Sequence, residues 1–179
     1  VPASGFANLW SRLATEYKAN SKVVFGLMNE PHDMPNTANW VTSANSALSA
    51  IRTAGAANLV TVPGNYYTGA HNWTTTDNAT QMLNVVDPGN NYVFEVHQYF
   101  DSDYSGTSAT IANNDPNIGV ETLTDITEWL IANNRKAFLG EFAVANSTIG
   151  TGSSQIGDEV INNMMGYMEQ NSEVWTGFT

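Results

Sequence analysis

Two glutamates of this sequence end short apolar runs and are well placed for acid–base chemistry. Glu30 follows the run that closes at Met28-Asn29, and Glu141 closes the run that begins at Ala137. Hydrolysis of a glycosidic bond needs two carboxyl groups in different environments: a protonated one that donates to the leaving oxygen, and an ionised one that attacks the anomeric carbon. Either glutamate alone is equally compatible with a solvated loop position, so the prediction depends on the pair.

Polar and aromatic residues stand near the ends of other apolar runs. His97 and Tyr99 follow the run that begins at Tyr92, and a loop rich in aromatic, amide and hydroxyl side chains extends over residues 65–73. Sugars have apolar C–H faces and rims of hydroxyls, so clefts that bind them combine flat rings with hydrogen-bonding groups. The loop has the composition of a sugar-binding surface.

The sequence gives little support for a metal or a cofactor. Its three histidines, His32, His71 and His97, show no ligand spacing such as a shared helical face, and cysteine is absent. No Gly-rich phosphate loop follows any apolar run. We predict no metal site and no cofactor.

Helical stripes alternate with apolar runs along the chain. Apolar residues at helical spacing predict helices at residues 6–17, 40–51, 122–133 and around 164–168. The apolar runs predict strands at residues 23–28, 59–62, 92–97, 137–141 and 174–178. The first run shows no alternation of apolar and polar residues, which is typical of a parallel strand buried on both faces.

This alternation predicts an α/β fold with a parallel sheet. An open doubly wound sheet and a (β/α)8 barrel both fit it. The barrel is favoured, because the polar residues fall at the C-terminal ends of strands and the phosphate loop of the nucleotide-binding open sheet is missing. A whole barrel takes about 250 residues, so we expect the second half of one.

Composition excludes several partners. Six Lys+Arg against 17 Asp+Glu give a net charge of −11, which opposes binding to nucleic acid or to an anionic membrane. No apolar stretch is long enough for a membrane span, and the first residues do not form a secretory signal peptide. Without cysteines, disulfides and thiol catalysis are excluded.

Several short motifs carry a family resemblance over nearly the whole chain and in the right order. They are residues 26–33, 63–65, 69–71, 97–103 and 140–142. With them the sequence resembles glycoside hydrolase family 5, the retaining (β/α)8 cellulases, and within it the fungal and bacterial endoglucanases. The resemblance implies that residues 1–179 hold strands four to eight and form the C-terminal portion of a single catalytic domain.

The resemblance also implies roles for the residues at the strand ends. Glu30 corresponds to the acid/base and Glu141 to the nucleophile of the family. Asn29 corresponds to the residue that hydrogen-bonds the sugar 2-hydroxyl, His97 to one that orients the sugar and the carboxylates, and Tyr99 to the one whose hydroxyl holds the nucleophile.

Tyr67 stands where relatives often carry Trp, so we expect it to be a sugar platform. The Arg and His of the early strands and the stacking Trp of strand eight have no counterpart in this chain. We therefore expect the 179-residue chain by itself to be marginally stable, to self-associate through its open side and to be essentially inactive.

The predicted function is that of a retaining endo-β-1,4-glucanase acting on cellulose by double displacement. A β-mannanase or another related barrel glycosidase is the first alternative, because paired glutamates do not specify the sugar; a noncatalytic half-barrel is the second. Secretion follows only from the polymeric substrate of the family.

Two further features need a structural answer. Glu95 shares the strand parity of His97 and is expected to point inward and to be paired, with a residue outside this chain as one candidate partner. Asn72, Asn78 and Asn146 match the N-glycosylation pattern, which an Asn/Thr-rich chain produces by chance.

Overall fold

The computed structural model describes residues 2–144 and 153–179. Its helices are α1 (Ala3–Tyr17), α2 (Thr37–Thr53), α3 (Asn78–Gln81), α4 (Ile118–Ala132) and α5 (Ser153–Gln170). Its strands are β1 (Phe25–Gly26), β2 (Val60–Pro63), β3 (Tyr92–Tyr99), β4 (Ala137–Ala143) and β5 (Trp175–Phe178). Among the described residues, none of the helices has the length and apolar character needed to cross a membrane.

The five strands form one sheet in the order β1-β2-β3-β4-β5, and β1-β2, β2-β3 and β4-β5 pair in parallel. The α/β fold class predicted from the sequence is confirmed, and it is consistent with part of a (β/α)8 barrel. The chain divides into two compact units, and β3 contributes Tyr92–Glu95 to the first and Val96–Tyr99 to the second.

The first unit, residues 2–68 and 72–95, packs α1 and α2 against the beginning of the sheet. The apolar stripe of α1 holds this helix against the sheet: Phe6 and Trp10 are buried, and the Trp10 ring contacts Phe25 of β1 edge-on, with ring centroids 5.9 Å apart. Phe6 also contacts Trp40 of α2 at 5.9 Å, and the Trp40 indole donates to the carbonyl of Pro63 at 2.6 Å. These aromatic contacts hold the helices over β1 and β2.

One strand prediction is wrong in part. The run at residues 23–28 was expected to be buried on both faces, but its strand is short and Val24 and Met28 are 50% and 44% exposed. Phe25 and Leu27, which alternate with them, are buried. β1 stands at the end of the strand order, and α1 packs on the face that holds Phe25. The all-buried pattern is found instead in β2.

Arg52, in the last turn of α2, ties the beginnings of β2 and β3 together. Its guanidinium donates to both carboxylate oxygens of Asp87 at 2.8 and 2.7 Å, and to the carbonyls of Ala56, Asn58 and Asn91. Burial raises the pKa of Asp87, but its bonds to Arg52 and to backbone amides lower that pKa on balance. The pair is a buried structural cross-link.

The second unit, residues 69–71 and 96–179 as far as the structure describes them, packs α4 and α5 against the end of the sheet. Leu123, Ile126 and Leu130 of α4 are fully buried, as is Met164 of α5. The indole of Trp175 in β5 donates to Thr127 of α4 at 2.9 Å. This contact fixes the last strand to the helix that precedes β4.

All five predicted strands are present, although their bounds differ by a few residues. β3 continues to Tyr99, two residues beyond the predicted end, and α4 begins at Ile118 rather than near Thr122. The short α3 was not predicted, because a helix of four residues is too short to show helical periodicity.

Candidate active site

Asn29 and Glu30 lie just beyond the C-terminal end of β1, in the first unit. The backbone amide of Leu27 still bonds the carbonyl of Thr61 at 3.1 Å, so the chain leaves the sheet immediately before these two residues. Asn29 is exposed and Glu30 is partly buried, whereas the following Pro31 is buried. The motif thus presents its amide and its carboxyl group from a fixed strand end.

A pair of stacked rings stands next to this motif in the same unit. The ring of Tyr67 lies parallel to that of His32, with centroids 4.4 Å apart and planes 7° apart. The backbone amide of Tyr67 donates to the carbonyl of Pro31 at 3.1 Å, which joins the loop after β2 to the loop after β1. Tyr67 is 53% exposed, so the ring has a face free for a ligand.

The loop that carries Tyr67 is held in an unusual backbone shape. Tyr66, Tyr67 and Thr68 have φ values of 56°, 58° and 50°, in the left-handed region that side chains disfavour. The hydroxyl of Thr68 stabilises this backbone shape: it accepts from the amide of Gly64 at 2.8 Å and donates to the carbonyl of Glu95. A buried hydroxyl therefore anchors the loop to β3.

Two buried asparagines complete this anchor. The amide of Asn65 donates to the side-chain oxygen of Asn78 at 2.9 Å, and the side chain of Asn78 donates back to the carbonyl of Asn65 at 2.9 Å. Asn78 is fully buried, so this glycosylation match cannot accept a glycan in the folded protein. Asn72 is partly exposed, and Asn146 lies outside the described residues.

Glu95 has a partner inside the chain. It is partly buried on β3, and the hydroxyl of Thr61 on the neighbouring β2 donates to its carboxylate. The predicted pairing of Glu95 is confirmed, and its partner Thr61 belongs to this chain.

In the second unit, Tyr99 and His97 of β3 converge on Glu141 of β4. The phenol of Tyr99 donates to Oε1 of Glu141 at 2.7 Å. Nδ1 of His97 lies 3.6 Å from Oε2, beyond ordinary hydrogen-bond distance, and the His97 side chain is 3% exposed against 38% for Glu141. Residues 97 and 99 share one face of the strand, which is why both reach the same carboxylate.

A second pair of stacked rings lies in the same unit, and sequence reasoning missed it. His71 stacks on Tyr104 with ring centroids 4.3 Å apart and planes 23° apart. The side-chain oxygen of Gln98 lies 2.9 Å from the backbone amide of His71, which donates to it, and 3.2 Å from Nδ1. Burial lowers the pKa of His71, although Gln98 opposes the shift, so the ring is neutral at neutral pH. Tyr104 could have been identified from the sequence as an aromatic residue within the polar loop after β3.

Parallel strands whose C-terminal ends carry carboxylates, amides and stacked rings are typical of the active-site face of (β/α)8 enzymes. The chain belongs to glycosyl hydrolase family 5, the cellulase family, whose model matches residues 2–179.

Individual relatives agree with this assignment. The chain is 40% identical over 175 residues to endo-β-1,4-glucanase B of Aspergillus niger, covering 97% of this chain and 49% of the relative. A solved endo-β-1,4-glucanase of Xanthomonas axonopodis pv. citri is 43% identical, with a TM-score of 0.90 over 99% of this chain and 54% of its own. XacCel5A, solved with cellopentaose, is 45% identical, with a TM-score of 0.91 over 100% of this chain and 55% of its own. The chain spans about half the length of the curated relatives it matches.

Proposed function

We propose that the protein containing this chain is a secreted endo-β-1,4-glucanase that hydrolyses internal bonds of cellulose with retention of configuration. Residues 1–179 would form the C-terminal portion of its single catalytic domain. The observation that carries the proposal is the hydrogen bond from Tyr99 to Glu141, because it prepares one strand-end carboxylate as a nucleophile. The printed names of the fungal and bacterial relatives support the glucanase activity.

Glu141 is the proposed nucleophile. A phenol that donates to Oε1 fixes the rotation of the carboxylate, which leaves Oε2 to attack the anomeric carbon. His97 lies on the Oε2 side, where its ring would restrict the approach of the sugar. The attack forms a glycosyl ester to Glu141 and breaks the bond to the leaving oxygen.

Glu30 is the proposed acid/base, and Asn29 the proposed partner of the sugar 2-hydroxyl. Glu30 would give its proton to the leaving oxygen in the first step and take one from water in the second, when the ester is hydrolysed. A hydrogen bond to the 2-hydroxyl strengthens in the transition state and lowers the barrier to both steps. The position of both residues at the end of β1 supports these roles.

Tyr67 is the proposed sugar platform. Its partly exposed ring is backed by His32 and fixed through its amide to Pro31, two residues after the proposed partner of the 2-hydroxyl. A preorganised ring offers the apolar face of a glucosyl unit a contact without further ordering of the loop. The cellopentaose bound to the relative XacCel5A supports an oligosaccharide as the ligand.

The proposal is tested by assaying hydrolysis with the protein encoded by the complete reading frame that contains this sequence. We call it the complete protein below. We expect activity on carboxymethylcellulose well above that on mannan and xylan, and complete loss of it in Glu141→Gln. Preference for mannan would favour the mannanase alternative. Inactivity on all three polymers would favour the noncatalytic alternative and refute the proposal.

A further inference from the structure

The loop after β3 folds back onto the strand from which it came. Asp101 stands two residues after Tyr99 and is 4% exposed. Its Oδ1 accepts from the amide of Gly106 at 2.9 Å, and its Oδ2 accepts from the amide of Ser108 at 3.0 Å. A buried carboxylate with two amide donors is a strong local anchor.

The pKa of Asp101 agrees with this geometry. Burial raises it, but hydrogen bonds from the amides of Gly106, Ser108 and Asp101 itself and from the Ser105 hydroxyl together outweigh burial and lower it below the ordinary value for aspartate. The carboxylate is therefore ionised at neutral pH, and it holds the loop with charged hydrogen bonds.

Gly106 is the point at which the anchored loop touches Tyr99. A β-carbon built on Gly106 would lie 2.5 Å from Cδ1, 2.6 Å from Cε1 and 2.8 Å from Cγ of the Tyr99 ring. Its φ of +72° is also one that residues with a β-carbon rarely adopt. Only glycine lets the backbone lie directly against this ring.

We propose that Gly106, held in place by Asp101, is a positioning residue for Tyr99 and, through its hydroxyl, for Glu141. The backbone at Gly106 limits the ring on one side, so that the phenol stays at 2.7 Å from Oε1. The expected effect on catalysis rests on the proposed function, whereas the positioning of the Tyr99 ring does not depend on it.

The expected size of the effect follows from the distances. Ordinary contact begins at 3.4 Å, so a methyl group at Gly106 requires a relative displacement of about 0.9 Å from the ring. A misplacement of about 1 Å can cost about a hundredfold in rate. We expect Gly106→Ala to lower kcat between about tenfold and a hundredfold, and to change KM by less than about twofold, because the ring supports the nucleophile rather than the bound sugar.

Gly55→Ala is the matched control. Gly55 also has a positive φ, +84°, but a β-carbon there would come no closer than 3.6 Å to its nearest neighbour, the Lys18 ammonium. It therefore carries the same kind of backbone strain without the obstruction of Tyr99. Kinetics of the complete protein should be unchanged in this variant.

The kinetic test uses a double-mutant cycle with Tyr99→Phe. If Gly106 acts through the phenol, Gly106→Ala should cost less than about threefold further in the Tyr99→Phe background. An undiminished loss in that background, or an unchanged kcat in the single variant, would overturn the proposal.

A spectroscopic test separates this inference from the proposed function. With tyrosines labelled with ¹³C at Cζ, the Tyr99 signal is assigned by its loss in Tyr99→Phe. We expect Glu141→Gln and Gly106→Ala to move this signal in the same direction, and Gly55→Ala to leave it in place. If wild type proves inactive on β-glucan, the proposed function fails, whereas the positioning of Tyr99 is still decided by this signal.

Asp101→Asn provides the second variant if Gly106→Ala does not fold. Asparagine has one acceptor oxygen in place of two, so one of the two loop amides loses its partner. The Tyr99 signal should shift in the direction seen in Glu141→Gln, and kcat should fall with KM nearly constant. A Tyr99 signal identical to that of wild type would show that the loop does not position the ring.

Discussion

Removal of the Asp87 carboxylate is expected to be among the most destabilising single changes in the first unit. In Asp87→Ala the Arg52 guanidinium, whose side chain is 9% exposed, keeps its charge but loses the carboxylate, which is itself 0% exposed. The amides of Gly89 and Asn91 lose their acceptor as well. The guanidinium then remains at a largely buried position without its charged partner.

The magnitude follows from these contacts. Breaking a buried ion pair by removing one partner costs about 3–5 kcal/mol. Three backbone carbonyls still accept hydrogen bonds from Arg52 and stabilise its charge in part, so we expect the cost to lie in the lower half of that range. We expect the free energy of unfolding to fall by about 3–4 kcal/mol. The exposed Asp125 of α4 provides a control, and its replacement by Ala should cost less than about 0.5 kcal/mol.

Urea unfolding followed by tryptophan fluorescence measures both variants, because Trp10 and Trp40 lie in the core of the unit that holds Asp87 and Trp175 lies in the core of the unit that holds Asp125. An Arg52→Ala/Asp87→Ala double-mutant cycle then isolates the pair from the lost amide acceptors. Equal losses in Asp87→Ala and Asp125→Ala would refute the view of the pair as a cross-link. So would a coupling energy close to zero.

The pH dependence provides an independent check with a defined sign. The pKa of Asp87 is lowered in the folded state, so its stabilisation is complete above the unfolded pKa of about 3.9. That stabilisation is lost as the pH falls through the lower folded pKa. Asp87→Asn cannot titrate, so its stability should fall less steeply than that of wild type below about pH 4.

Three further outcomes follow from the proposed site. In the complete protein, Glu141→Ala should abolish turnover on every substrate, whereas Glu30→Ala should retain activity on an activated aryl cellobioside, whose leaving group needs little protonation; kinetics on that substrate and on carboxymethylcellulose test this, and equal losses would contradict the assigned roles. Tyr67→Ala should raise KM for cello-oligosaccharides about two- to tenfold with kcat nearly constant, as the loss of a ring contact of about 0.5–1.5 kcal/mol predicts. Tyr67→Phe, which keeps the ring, should behave as wild type. Steady-state kinetics of both variants test this, and an unchanged KM in Tyr67→Ala would contradict it. Expression in a glycosylating host should leave Asn78 unmodified in the folded protein because it is buried, and a glycopeptide carrying Asn78 in the mass spectrum would show that the loop is open during secretion.

The sequence allowed the elements to be predicted because their signals are local. The helical stripes and apolar runs located five strands in order, and the positions of Glu30 beyond β1 and of Glu141 near the C-terminal end of β4 followed from them. Periodicity reports which residues share a face of one element, and burial of that face against the sheet is common to most α/β folds. The family could be recognised for a similar reason, since its motifs are short and contiguous.

Contacts between distant residues were decided only by the tertiary structure. No sequence pattern indicates that Thr61 bonds Glu95, that Arg52 binds Asp87, or that the backbone at Gly106 lies on the Tyr99 ring. The first depends on strand register, and the other two on loops that turn through left-handed backbone conformations at Asn90 and Gly106. Small changes in either would move these atoms by more than the length of a hydrogen bond.

Burial itself also needed the tertiary structure. Val24 and Met28 belong to an apolar run yet are about half exposed, whereas Asn78 belongs to a polar segment yet is fully buried. The first two depend on what covers the outermost strand, and the last on the two-way hydrogen bonds with Asn65 that satisfy its amide. Local composition determined which elements form, and the way those elements pack determined which of their polar groups are paired and which of their apolar groups reach the surface.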